Sequence, residues 1–150
     1  MIDPTIRPLD CANDVEVEQV HDLEREARST LTDRRGGPRW LEDNPAIGSG
    51  WADECSASIV RVAYIDEVIV GYIRARIGDD RIVRVFDVYI TPEAREVGFG
   101  DELLHEVIAT GRRLDARAIE GFALPGDRHT KNLYERAGIV ARLITTYRPL

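Results

Sequence analysis

Two cysteines, three histidines and no long apolar run remove several kinds of protein from consideration for this 150-residue chain. Cys11 and Cys55 lack the spacing of a metal site, and two cysteines in a chain this long do not make a disulfide scaffold, so a reducing cytoplasm is the expected location. His21, His105 and His129 are scattered, none at ligand spacing with Cys, Asp or Glu, so no metal site is expected. The longest apolar runs, such as Val68-Ile69-Val70, fall far below the roughly 20 residues that a membrane span requires, and Met1-Ile2-Asp3-Pro4 does not resemble a signal peptide. Positive charge is also scarce. A formal net charge of −7 argues against nucleic acid as a partner, because its phosphates would be repelled by the average surface.

What remains is a chain with 43% hydrophobic residues, large enough for one domain over 1–150 with its own core. Thr5 to Leu9 reads as a short strand. Asn13-Asp14-Val15-Glu16 has the form of a capping box, followed by Val17, Val20, Leu23, Ala27 and Leu31 at helical spacing, with Glu24 and Arg28 paired on the outer face. Residues 32–54 read as an irregular segment punctuated by Gly36-Gly37-Pro38, Asn44-Pro45 and Gly48-Ser49-Gly50, with a possible short helix at Trp40-Leu41; a loop of this length in a compact domain is often a binding element. Strands at 57–65 and 68–77 flank a tight Asp66-Glu67 hairpin, and a third covers 81–91. An amphipathic helix with Leu103, Leu104, Val107, Ile108, Gly111 and Leu114 on one stripe follows, then a strand at 118–124, a short helix at 130–137 stopped by Gly138, and a last strand at 139–147. The expected order is β-α-(α)-β-β-β-α-β-α-β: an α/β (α+β) mixed sheet covered by helices.

The most informative stretch is Phe86 to Leu104, where an apolar strand meets Pro92 and then an Arg95-x-x-Gly98-x-Gly100 turn that opens a helix. Amides of Val97, Gly98, Phe99, Gly100 and Asp101 would converge at the helix N-terminus, where orphan N–H donors and the positive end of the helix dipole stabilise a phosphate. Arg95 can add a charge-assisted contact. Position 103 is Leu, so the dinucleotide pattern Gly-x-Gly-x-x-Gly is not met, and no Gly-Lys-Ser/Thr completes a P-loop. A pyrophosphate held outside those two frameworks fits, and coenzyme A carries one.

Val88-x-Ile90-x-Pro92-x-x-Arg95-x-x-Gly98-x-Gly100, together with Leu133-Tyr134-x-x-x-Gly138, resembles the two acetyl-CoA motifs of the GNAT N-acetyltransferase superfamily, and the order of elements is that family's order. The resemblance implies acetyl transfer from acetyl-CoA to a primary amine by direct attack. It implies that the backbone of Val88, Tyr89 and Ile90 pairs with pantetheine amides as an added strand would, in a gap beside a splayed strand. Arg95 and the 97–101 amides would hold the pyrophosphate. Tyr134 would protonate the departing thiolate, and Asp87, just before the paired segment, is the candidate to take the amine's proton. Asp127 stands where many relatives carry an Asn that contacts pantetheine, and Thr130 where they carry Ala or Ser. Homodimers are common among relatives.

The acceptor stays open. The acidic surface favours a cationic amine, whereas Arg34, Arg35 and Arg39 could hold a carboxylate; Trp40 and Trp51 are candidates for an acceptor pocket. A catalytically silent acyl-CoA-binding module of the same fold is the alternative reading.

Overall fold

The computed structural model describes residues 5–150. Five strands form one sheet in the order β1-β2-β3-β4-β5: β1 (Thr5–Pro8), β2 (Ile59–Ile65), β3 (Val68–Ile77), β4 (Ile82–Ile90) and β5 (Ala118–Gly121). The first four pair antiparallel, and β5 lies parallel to β4 after a helical crossover. The β2–β3 hairpin turns on Asp66 and Glu67, both with positive φ (48° and 68°), the backbone twist that a two-residue hairpin demands.

Side chains alternate across the sheet, so neighbours in one strand enter different cores. On one face, α4 (Phe99–Arg113) and α5 (Arg128–Arg136) bring Phe99, Leu103, Leu104, Val107, Leu133 and Tyr134 onto Ala63, Ile73, Val83 and Ile90. On the other, α1 (Asp14–Ser29) and α3 (Trp51–Ala57) bring Val20, Leu23 and Trp51 onto Val60, Val62, Tyr72 and Tyr89. The helices therefore cover both faces, as expected.

Several local expectations are corrected. Asn13 does cap α1, accepting from the Val15 and Glu16 amides, but the Glu16 carboxylate turns away to Arg7 instead of closing a capping box. Glu24 is not on the outer face. It is buried and receives the amides of Ile47 (2.8 Å) and Gly48 (2.9 Å) and the indole N–H of Trp51 (3.2 Å), while Arg28 donates to the carbonyls of Leu41 and Asn44. These bonds order the supposedly irregular stretch, which holds α2 (Gly37–Asp43) and the start of α3; β2 correspondingly begins at Ile59. The strand expected at 139–147 does not form: Gly138 (φ 79°) ends α5, and the chain beyond it is irregular.

The two cysteines are joined. Cys11, just past β1, is disulfide-bonded to Cys55 of α3, with a Cα–Cα distance of 5.6 Å, so the pair is a single staple where sequence spacing suggested free thiols. The bond closes a loop across 44 positions, which the chain-entropy argument values at about 4 kcal/mol. Cys11→Ser is expected to lower the denaturation midpoint of the oxidised protein to that of the reduced wild type; denaturant titrations with and without dithiothreitol measure it, and identical wild-type curves would show that the bond contributes nothing.

Candidate functional site

The site begins where the sheet stops being complete. β5 covers β4 only from Ile82 to Val85, opposite Ala118 to Gly121, and the chain then leaves for α5. From Phe86 to Ile90 the β5-facing edge of β4 has no strand beside it among the described residues, while its other edge stays paired to β3 through Tyr72–Tyr89, Ile73–Val88 and Gly71–Ile90. An extended ligand rich in amides can complete such an edge. The register slips between Arg74 and Ala75, where Phe86 is the extra residue on β4, a bulge that locally bends the strand at this opening.

Beyond Ile90, the turn at 92–94 leads to Gly98, the N-cap of α4 at φ 93° and ψ 3°, a left-handed conformation that glycine adopts without strain. None of the turn, loop or cap hydrogen bonds among the described residues uses the amides of Val97, Gly98, Phe99, Gly100 or Asp101, so these five are free donors at a 15-residue helix's N-terminus. Asp101 points out of it: its carboxylate accepts from Arg136 Nε of α5 at 3.0 Å. Arg95 braces the turn, with Nε donating to the Ile90 carbonyl at 3.0 Å and the guanidinium 5.5 Å from the centre of the Tyr89 ring.

Asp87 and Tyr134 flank the β4–β5 divergence from opposite faces. Asp87 shares the face of α1 and α3; its side chain is 22% exposed, and Oδ2 accepts from Arg74 Nε at 2.7 Å. Burial pushes its carboxyl above the usual carboxylate range, against the pull of Arg74. Tyr134 lies in the α4–α5 core with its ring against β5. A Cβ on Gly121 would stand 2.4 Å from Tyr134 Cζ and 2.7 Å from its hydroxyl oxygen, so the tyrosine reaches the end of β5 only because residue 121 is glycine. Burial pushes the phenol well above its ordinary value, with Asp87 and Asp127 adding to the shift, so it holds its proton throughout the neutral range and suits an acid rather than a base.

Asp127 caps α5, accepting from the amide (3.2 Å) and hydroxyl (2.8 Å) of Thr130; the two departures from the family pattern thus answer each other. Trp51 is fully buried and packs edge-to-face on Tyr72, which removes it from any pocket. Trp40 does face the opening, with its ring 5.2 Å from Phe122, itself stacked on Phe86 at 6.0 Å. Sequence reasoning missed Arg74, Arg76, Glu54 and Gly121. The signal available was Arg74-x-Arg76, two arginines on one face of a strand otherwise read as buried, which demands carboxylate partners.

A meander running into a parallel crossover, with a helix N-terminus of free amides at the strand's open edge, is the architecture of an acyl-CoA-dependent transferase. The comparisons agree. The model of the acetyltransferase (GNAT) family matches residues 17–139, and the chain belongs to that family of acetyl-CoA-dependent N-acetyltransferases. No curated protein sequence matches it. Similar solved structures include the PaiA N-acetyltransferase of Thermoplasma acidophilum in complex with coenzyme A (14% identity, 91% of this chain and 89% of that one, TM-score 0.71). Another is the aminoglycoside acetyltransferase AAC(6')-Iy with a CoA bisubstrate analogue (17%, 99% and 100%, 0.68). A third is the diaminobutyrate acetyltransferase EctA of Paenibacillus lautus with its substrate and coenzyme A (17%, 90% and 74%, 0.64). At these identities the likeness is one of fold.

Gly121→Ala is expected to lower acetyl-transfer turnover by about 10²-fold through displacement of the Tyr134 ring. Steady-state kinetics check this, and an unchanged turnover would detach the ring's position from the reaction.

Proposed function

We propose that the protein moves an acetyl group from acetyl-CoA directly to a primary amine, with Asp87 taking the amine's proton and Tyr134 supplying one to the leaving thiolate. The observation that carries this reading is the placement of Asp87, paired to Arg74 on the α1 and α3 face, and of Tyr134, packed against Gly121 on the α4 and α5 face, on either side of one strand opening. One ammonium proton passes to Asp87, and the freed amine nitrogen forms a bond to the thioester carbonyl carbon. The carbon–sulfur bond breaks with the sulfur leaving as a thiol that takes the proton of Tyr134, and the second proton shed by the nitrogen as the amide forms restores the phenol of Tyr134. Donor binding falls to the free edge of Val88, Tyr89 and Ile90 and to the amides of 97–101. Arg95 contributes through its terminal nitrogens, and Asp127 acts by holding α5 in place.

The acceptor is an amine, small or borne on a protein. Solved neighbours include acetyltransferases of aminoglycosides and of diaminobutyrate, acceptors that each carry more than one amino group, which makes such a compound the first to assay. The edge of Trp40, Phe86 and Phe122 gives such a molecule a flat apolar wall.

Tyr134→Phe is expected to reduce turnover by about 10²-fold or more while acetyl-CoA affinity stays within a factor of two, roughly the division expected for a general acid. Asp87→Asn should remove the acid limb of the kcat/KM profile: wild-type activity falls as pH drops through the Asp87 pKa, which lies above the ordinary carboxylate value of about 3.9. Free-thiol release across a panel of amines reads both; binding of acetyl-CoA with no thiol release from any amine would instead favour a silent binding module.

The working form proposed is a cytoplasmic homodimer. Support for the dimer comes from residues 139–150, where Leu143 (89%) and Ile144 (81%) are exposed in an irregular, β-branched segment, and from the outer edge of β5, which pairs with no strand among the described residues. Leu143→Lys with Ile144→Lys should shift the mass measured by light scattering from dimer to monomer; a monomeric wild type sinks the dimer. In a reducing cytoplasm the Cys11–Cys55 bond would open, so mass spectrometry of alkylated protein from fresh lysate reads the compartment directly.

A further inference from the structure

Asp87 does not stand alone. Its partner Arg74 sits directly across on β3, donates to Asp87 Oδ2 through Nε at 2.7 Å, and lays its guanidinium 5.2 Å from the centre of the Phe86 ring. The same guanidinium donates through Nη1 to Glu54 Oε1 at 3.3 Å. Glu54, on α3 and 8% exposed at its side chain, also accepts from Arg76 Nε at 3.1 Å and Nη2 at 2.6 Å, and from the hydroxyl of Ser58. The next residue, Cys55, is tied to Cys11. A buried carboxylate on α3 thus holds an arginine, and that arginine holds the proposed base.

We infer that Arg74 and Glu54 are positioning residues for Asp87: Arg74 fixes one carboxylate oxygen and leaves the other to the acceptor amine, while Glu54 draws part of the arginine's charge away so that Asp87 stays basic enough to take a proton. This inference rests on the reading of Asp87 as the base. Undivided, an arginine at 2.7 Å would stabilise the carboxylate and weaken it as a base; absent, it would leave a mostly buried carboxylate that ionises late. Glu54 itself is pushed up by burial and brought below the usual range by Arg76, Ser58 and Arg74, so it stays ionised and keeps its share of the arginine.

Other groups within electrostatic reach of Asp87 are Tyr72 from β3, Glu24 and Arg28 from α1, and, from the opposite face, Tyr134 of α5. Tyr72 and Tyr134 are both pushed up by burial and stay neutral. Glu24 raises Asp87 and Arg28 lowers it, and each is engaged with the 41–51 backbone in a way that neither substitution touches.

The arrangement makes two substitutions move one titration in opposite directions. Glu54→Gln leaves Arg74 wholly to Asp87, and the Asp87 pKa should fall. Arg74→Met removes the stabilising charge, and it should rise by about one unit or more. Arg74→Lys, which keeps the charge without the fork, should fall between wild type and Arg74→Met. The measurement is carboxyl 13C NMR titration of full-length, oxidised protein labelled in aspartate, with the Asp87 signal assigned by its loss in Asp87→Asn; it needs no acceptor. A parallel kcat/KM profile with diaminobutyrate or another accepted amine should show its acid limb following the same shifts. An Asp87 titration that stays put in all three variants, or moves the same way in Glu54→Gln and Arg74→Met, overturns the inference. Should Glu54→Gln not fold, the ordering of wild type, Arg74→Lys and Arg74→Met decides. Full acetyl transfer by Asp87→Asn would instead overturn the reading of Asp87 as base, an outcome the NMR titration does not touch.

Discussion

Half of one strand edge is left without a neighbour, and the rest of the molecule is arranged around that deficit. Backbone N–H and C=O groups in the middle of a sheet are normally spent on the next strand. Here β5 ends at Gly121 after four residues, and β4 runs on to Ile90 with one side open. The opening is tolerable because β3 keeps the other edge fully paired and because the chain beyond β5 folds at once into α5, whose Leu133 and Tyr134 fill the core beneath. The same departure that frees the edge delivers the phenol to it. The open edge and the phenol beside it are therefore consequences of one short strand.

Charge is managed in two tiers on the opposite face. Glu24 is a buried carboxylate neutralised by dipoles: two amides and an indole N–H surround it, and through them it fixes the chain between α2 and α3. The Glu54, Arg74, Arg76 and Asp87 series is neutralised by opposite charges, with two anions and two cations in sequence. Leaving Glu24, Glu54 or Arg74 unpaired is costly because each is largely out of water, whereas Arg76, half exposed, can turn to solvent. This face of the sheet is held by charge pairs as well as by packing.

Much of this was legible in the sequence, and the failures share a cause. β3 was bounded to the residue at 68–77, and the glycine turn, α1 and the stop at Gly138 were all readable because each depends on local chemistry: a cap, a turn, an alternation. Asp87 and Tyr134 came from motif resemblance, and the structure places them about one opening. What escaped depends on partners far along the chain. Glu24 looks like a surface residue paired with Arg28 until the 47–51 backbone arrives over it, and Cys11 looks free until α3 brings Cys55. The strand expected at 139–147 has the right residues but no partner edge within reach of its own chain; propensity alone does not make a strand.

The Cys11–Cys55 staple also partitions the molecule along its length. Everything from the end of β1 to α3, including α1, α2 and the Trp40 wall, lies inside one covalent ring, whereas β4, the cradle, β5 and α5 all lie outside and after it. Of the aromatic edge at the opening, Trp40 is thus written inside the ring, and Phe86 and Phe122 are written outside it with the strand edge and the 97–101 amides. Within the ring, Glu24 ties α1 to the chain that enters α3, so the covalent closure and the buried carboxylate fasten the same stretch twice, at its ends and in its middle.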